Sequence, residues 1–130
     1  IHRDFQSRNL MVVHEDFVLI DYQDAMIGPF IYDLVALLRD SYIALPPTQV
    51  EALVTHYCRV ANEARLTALD ASDIARAFHL QTVQRKLKDT GRFVYIDRVK
   101  GNPSFLGYRA ASMRYVADAL YHCYLLRYAS

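Results

Sequence analysis

The sequence predicts a mostly α-helical protein of the α+β class, with a small β hairpin beside a helical bundle. Two short β-prone runs near the amino terminus predict the hairpin. Long stretches of helical period over the remaining residues predict the bundle. Gly28-Pro29, Pro46-Pro47 and Gly101-Asn102-Pro103 separate these segments, as backbone-breaking residues do.

Leu10 to Val13 and Phe17 to Ile20 are the β-prone runs, and His14-Glu15-Asp16 between them reads as their turn. From Tyr32 the period becomes helical, with Leu34, Val35, Leu37 and Leu38 on one face. Pro46-Pro47 ends that segment because neither residue donates a backbone hydrogen bond. Thr48 and Glu51 have the spacing of a capping box, which predicts a helix from Thr48 to about Leu66. Its apolar stripe is Val50, Leu53, Val54, Tyr57, Cys58 and Ala61. Asp70 or Ser72 is placed to cap a helix over about Asp73 to Asp89. Gly91 interrupts it weakly, and the pattern resumes through Tyr95 and Val99. A last helix, Tyr108 to Tyr128, is expected to turn Met113, Val116, Ala117, Leu120, Tyr121 and Tyr124 to the core.

Composition narrows the functional classes. The chain has 130 residues, 53% of them hydrophobic, enough for one core. Fifteen basic residues against 14 acidic ones leave no field for nucleic acid and no basic tail for anionic lipid. No apolar run is long enough to span a bilayer, so no membrane partner is expected. Two isolated cysteines, Cys58 and Cys123, lack metal-ligand spacing and read as thiols of a reducing compartment. Ten Tyr and six Phe suit a core with polar edges; Tyr42, Tyr95, Tyr108, Phe93 and Phe105 also have the chemistry to stack on a sugar ring. His56, His79 and His122 read as ordinary helix residues. Oligomeric state has no signature in these residues.

The polar residues of the first third are concentrated. His2-Arg3-Asp4-Phe5-Gln6-Ser7-Arg8-Asn9 fits H-x-D-x-x-x-x-N, and Asp21 follows the second β-prone run. Phosphoryl transfer uses these residue types: a carboxylate orients the attacking hydroxyl and accepts its proton, while hard oxygen ligands hold Mg²⁺ against nucleotide phosphates. A hairpin between Asn9 and Asp21 lets an amide and a carboxylate share one metal. By itself H-R-D is a common tripeptide, and Asp, Asn and Ser clusters are often only turns.

His2-Arg3-Asp4…Asn9, with Ile20-Asp21-Tyr22-Gln23-Asp24-Ala25, Gly28-Pro29 and Tyr32-Asp33-Leu34, resembles the aminoglycoside phosphotransferase and choline kinase-like superfamily, relatives of protein kinases. Ser7-Arg8-Asn9-Leu10-Met11, Gln84-Arg85-Lys86-Leu87-Lys88 and Gly101-Asn102-Pro103 are similar to segments of a narrower group, the bacterial anomeric kinases for N-acetylmuramate and N-acetylglucosamine. The resemblance implies the carboxyl-terminal lobe of a protein-kinase-like fold, using ATP and Mg²⁺, in the cytoplasm, on an amino sugar of cell-wall recycling. It implies that Asp4 is the catalytic base and that Asn9 and Asp21 hold the Mg²⁺-nucleotide. His2 and Asp33 would brace the loop. Gln6 departs from the His that many relatives carry, at a tolerant loop position.

Other residues stay open between two roles. Arg8 would neutralise transferring phosphate or form a surface ion pair, and Asp24 would contact substrate or cap the loop. Arg85, Lys86, Lys88 and Arg92 read as a solvated basic face; the alternative has one of them, Lys86 for instance, lining an acceptor pocket. By role, residues 1–33 form the catalytic and metal segment and residues 34–130 the helical substrate-binding part. A glycine-rich phosphate loop and a strand lysine are missing, and the chain begins inside a motif without a Met. The expectation is therefore a lobe without its nucleotide-gripping partner, with little turnover alone. Acceptors such as aminoglycosides, choline or homoserine stay open within the enzyme class, and a pseudokinase-like binding module lies outside it.

Overall fold

The computed structural model describes residues 1–64, 66, 68 and 70–128, excluding the side chains of residues 126–128. The chain falls into two compact units, Ile1–Asp70 and Ala71–Ser130. The structure is mostly helical with one two-stranded sheet among the described residues, as the sequence predicts.

In the first unit, β1 (Leu10–Val13) pairs antiparallel with β2 (Asp16–Leu19), with Leu10 opposite Leu19 and Val13 opposite Asp16. His14 and Glu15 make the turn with φ of 48° and 72°. Two consecutive positive values suit the right-handed twist of a tight hairpin. The turn therefore needs only two residues, and Asp16 joins the strand instead of the turn. The hairpin's apolar side chains, including Val12 and Phe17, are exposed.

A seven-residue helix, α1 (Tyr32–Leu38), and the longer α2 (Pro47–Glu63) complete this unit. Ile31, Val35, Ala36, Leu38, Val50, Cys58 and Ala61 are its buried apolar residues. The capping box does not form. Pro46 is the N-cap residue, no side chain caps the helix, and Pro47 occupies the first turn. Proline lacks only an N–H that would have no partner there, and its fixed φ already matches a helix. Thr48 is thereby moved inside the helix, past the capping position.

The second unit is a helical hairpin. α3 (Ala71–Lys100) runs unbroken through Gly91, where two segments were expected. A single Gly costs a helix about 1 kcal/mol, which packing of α3 against α4 offsets. Gly101, at φ 64°, ends α3, and the Asn102 side chain then accepts from the Ser104 N–H to start a 3₁₀ turn over Pro103–Tyr108. α4 (Arg109–Tyr128) returns along α3.

The buried face of α4 differs from the expected one. Val116 is buried as expected, together with Ser112 and Ala119, while Met113, Ala117, Leu120, Tyr121 and Tyr124 are exposed. Ser112 and Ala119 allow close helix approach, which the larger side chains would prevent. The basic cluster also needs correction. Arg85 and Lys86 share the buried stripe of α3 with Ile74, Phe78 and Thr82, and Lys86 is only 1% exposed. Only Lys88 and Arg92 match a solvated face. Phe93 is buried and stacks on Phe105, with ring centroids 6.1 Å apart, in the core of this unit.

Candidate active site

The site is built at the base of the hairpin in the first unit. Arg3 and Asp21 hold left-handed backbone, with φ of 75° and 66°. This conformation costs an L-residue roughly 1–2 kcal/mol and persists only where surrounding bonds enforce it. Asp33 supplies such bonds at Arg3. One of its carboxylate oxygens accepts the His2 N–H at 2.6 Å, and the other accepts the Arg3 N–H at 3.0 Å. Asp33 lies in the first turn of α1 but makes no cap. Its charge is directed to a loop some thirty residues earlier in the chain.

His2 is buried and joins the two halves of the site. Its Nδ1 accepts the Asp4 N–H at 3.3 Å, and its Nε2 lies 3.0 Å from the Ile20 carbonyl. An accepting Nδ1 leaves the ring proton on Nε2, so Nε2 is the donor to Ile20. The ring thus ties the residue before Asp21 to the loop that carries Asp4.

Asn9 is fixed by its own side chain. Its Nδ2 donates to the Asp4 carbonyl at 2.8 Å, which leaves Oδ1 as an acceptor directed elsewhere. The Ile20 N–H donates to the Asn9 carbonyl at 3.1 Å, extending the strand pairing one step past Leu10 and Leu19. Asn9 is thereby set beside the backbone that leads into Asp21. Asp21 accepts from the Gln23 amide at 2.5 Å through Oδ1. An amide oxygen and a carboxylate oxygen are the kinds of hard donor that Mg²⁺ takes, and Mg²⁺ needs few from protein. Among the described residues no group of three or more His, Cys, Asp or Glu side chains is arranged to hold a metal ion.

The remaining candidates are placed as follows. Asp24 is exposed, and its carbonyl accepts from the Arg3 guanidinium at 3.5 Å. Arg8 is exposed, with its guanidinium carbon 3.5 Å from the centre of the Tyr42 ring. Lys86 belongs to the second unit, where it pairs with Asp89 at 3.0 Å and sits 5.8 Å from the Tyr115 ring centre.

Asp40 is the residue that sequence reasoning missed. It is 3% exposed. Its Oδ2 accepts both the N–H and the hydroxyl of Ser7, at 3.0 and 2.5 Å, and its Oδ1 accepts the Tyr42 N–H at 2.9 Å. Its only signal in the sequence is a carboxylate just after an apolar helix. Beside it a cleft of about 230 Å³ opens, lined by Ser7, Asp40, Leu37, Ile43, Gln49 and Leu53. On α2, Tyr57 donates its hydroxyl to the Phe30 carbonyl at 3.2 Å. Partial burial, and then the Asp33 charge, push the Tyr57 phenol above its ordinary value.

A strained catalytic-type loop, a hairpin and a carboxylate-bearing helix start in this order define a class. The chain belongs to the APH phosphotransferase enzyme family, whose model matches residues 1–71. Within it, the chain is similar to the N-acetylmuramate/N-acetylglucosamine kinase of Pseudomonas aeruginosa, 35% identical over 121 residues, 92% of this chain and 36% of that protein. The enzyme of the same name from Neisseria meningitidis serogroup B is 40% identical over 124 residues, 88% of this chain and 37% of that protein. That of Pseudomonas putida is 35% identical over 108 residues. The chain spans about a third of the length of the curated relatives it matches. The family model covers the first unit, whereas the likeness to these kinases extends into the second.

Proposed function

We propose that the gene product carrying this chain is an ATP- and Mg²⁺-dependent phosphotransferase that phosphorylates the anomeric hydroxyl of N-acetylmuramate or N-acetylglucosamine, serving cell-wall recycling in the cytoplasm. The observation that carries the reading is the joint fixation of Asp4, Asn9 and the Asp21 segment by His2 and the hairpin base. The names of the similar kinases supply the acceptor.

In this reading the Asp4 carboxylate accepts a hydrogen bond from the acceptor hydroxyl and points its oxygen at the terminal phosphorus of ATP. As the new P–O bond forms and the bond to ADP breaks, the hydroxyl proton passes to Asp4. Asn9 Oδ1 and the Asp21 carboxylate would hold Mg²⁺, which when bound neutralises charge on the phosphates. Asp33 keeps the His2 and Arg3 backbone in the conformation that presents Asp4, an orienting role whose loss is felt in rate.

The test is an acceptor screen with the complete gene product, ATP and Mg²⁺, using N-acetylmuramate, N-acetylglucosamine, an aminoglycoside, choline and homoserine. Phosphorylation of the two amino sugars, with the phosphate on the anomeric oxygen by NMR, is expected. Transfer only to another acceptor, or to another sugar hydroxyl, would contradict the proposal.

A further inference from the structure

The geometry points to Arg8, held on Tyr42 by Asp40, as the residue that recognises a carboxylate on the acceptor and so separates N-acetylmuramate from N-acetylglucosamine. This inference rests on the amino-sugar reading and deepens it.

Arg8 precedes Asn9 in the turn that folds back on the Asp4 carbonyl. Its guanidinium lies over the Tyr42 ring at 3.5 Å, and no carboxylate among the described residues pairs with it. It is exposed. A surface Arg with no anionic partner ordinarily samples many rotamers; stacking restrains this one. A guanidinium whose face rests on a ring keeps its in-plane N–H fork for a planar anion, which it binds through two parallel hydrogen bonds.

Both sides of the stack are anchored by one buried group. Asp40 accepts from the backbone and hydroxyl of Ser7, the residue before Arg8, and from the N–H of Tyr42, the ring beneath it. A carboxylate that is 3% exposed and bonded to both segments fixes the Arg relative to the ring. A pre-set cation loses less freedom on binding than a mobile one.

The chemistry of the two sugars selects the ligand group. N-acetylmuramate carries a lactyl ether ending in a carboxylate, whereas N-acetylglucosamine has a free hydroxyl there and no charge. Lys86, one of the basic residues of α3 with the same chemistry, is buried and already paired with Asp89. Arg8 is exposed and beside the catalytic turn.

The experiment uses the complete gene product and steady-state kinetics on both sugars, with wild type, Arg8→Met, Arg8→Lys and Tyr42→Leu, each checked by thermal melting. Arg8→Met is expected to lower kcat/KM for N-acetylmuramate roughly 10- to 100-fold, the loss of one charge-assisted fork, mostly through KM. Its kcat/KM for N-acetylglucosamine is expected to stay within about threefold of wild type. Arg8→Lys keeps the charge but not the fork, and Tyr42→Leu keeps the fork but not its support; each should lose part of the preference. Equal losses on both sugars would overturn the inference, since they would place Arg8 on the transferring phosphate instead. Unchanged kinetics in Arg8→Met would overturn it too. A wild type inactive on both sugars would remove the amino-sugar reading and this inference together, before any variant is made.

Discussion

In the first unit Asp33 and Asp40 face backbone N–H groups, whereas in the second Asp89 and Asp118 face other side chains. Asp33 and Asp40 each accept from backbone N–H groups at two positions. Asp89 takes Lys86, and Asp118 takes His122 on the next turn of α4. Backbone conformation divides in the same way. All four described non-glycine residues with positive φ (Arg3, His14, Glu15 and Asp21) lie in the first unit, while the second bends at a glycine. Charge in the first unit stabilises an irregular chain that a helix or sheet could not provide. In the second unit Lys86 is buried within a regular helix, where only a matched partner such as Asp89 makes its charge tolerable.

Substitutions can break or sharpen that contrast. The largest expected effect is on the second unit: Lys86→Ala should lower unfolding free energy by about 3–4 kcal/mol in urea titration, because Asp89 would keep a largely buried charge without its close partner. Lys86→Met, which fills the same space, should cost less than Asp89→Ala. A Lys86→Ala protein as stable as wild type would mean that the charge is solvated after all.

Asp33→Ala comes next, with an expected loss of about 2–3 kcal/mol, since two N–H groups lose a charged acceptor. It should also cost roughly 100-fold in kcat through the misplaced loop. A variant that loses stability but keeps its kcat would separate Asp33 from the presentation of Asp4. Glycines give a smaller, paired effect. Gly101→Ala should destabilise by about 1 kcal/mol because its φ is positive, whereas Gly91→Ala, with open space around the new methyl, should stabilise by about 0.5–1 kcal/mol.

The smallest effect concerns pH. The Tyr57 phenol is raised above 10.0 in the folded chain, first by burial and then by Asp33. The folded state therefore holds this proton more tightly than the unfolded state does. The resulting stability is complete below pH 10 and is lost as pH rises through the folded value. Tyr57→Phe should flatten the fall in stability above pH 10 slightly, seen in melts from pH 9 to 11. An unchanged or steeper fall would assign that dependence to other groups.

Much of the first unit is legible in its residues because local chemistry decides it. Two β-prone runs around His14-Glu15-Asp16 read locally as a hairpin, whereas Pro46-Pro47 opens α2 and does not end the preceding helix, which stops at Leu38. Asp40 is not legible, because its role depends on Ser7, which is 33 residues away. Asn9 and Asp21 stand out as a pair of oxygen donors, and the backbone bond between Ile20 and Asn9 sets Asn9 beside the residue that leads into Asp21. In the second unit helical period is plain, but the buried side of α4 is not. Small residues such as Ser112 and Ala119 carry little hydropathy signal and still win the interface through close approach. The burial of Lys86 follows from its partner and neighbours, which a hydropathy pattern does not register.

The proposed function depends most on Asp4 acting as the base that accepts the hydroxyl proton. Its most direct test is Asp4→Asn in the complete gene product, which keeps size and backbone bonds while removing the proton acceptor. Unchanged melting and nucleotide binding with kcat reduced about 10³-fold or more on every acceptor is the predicted result. A folded Asp4→Asn enzyme with wild-type kcat would contradict it.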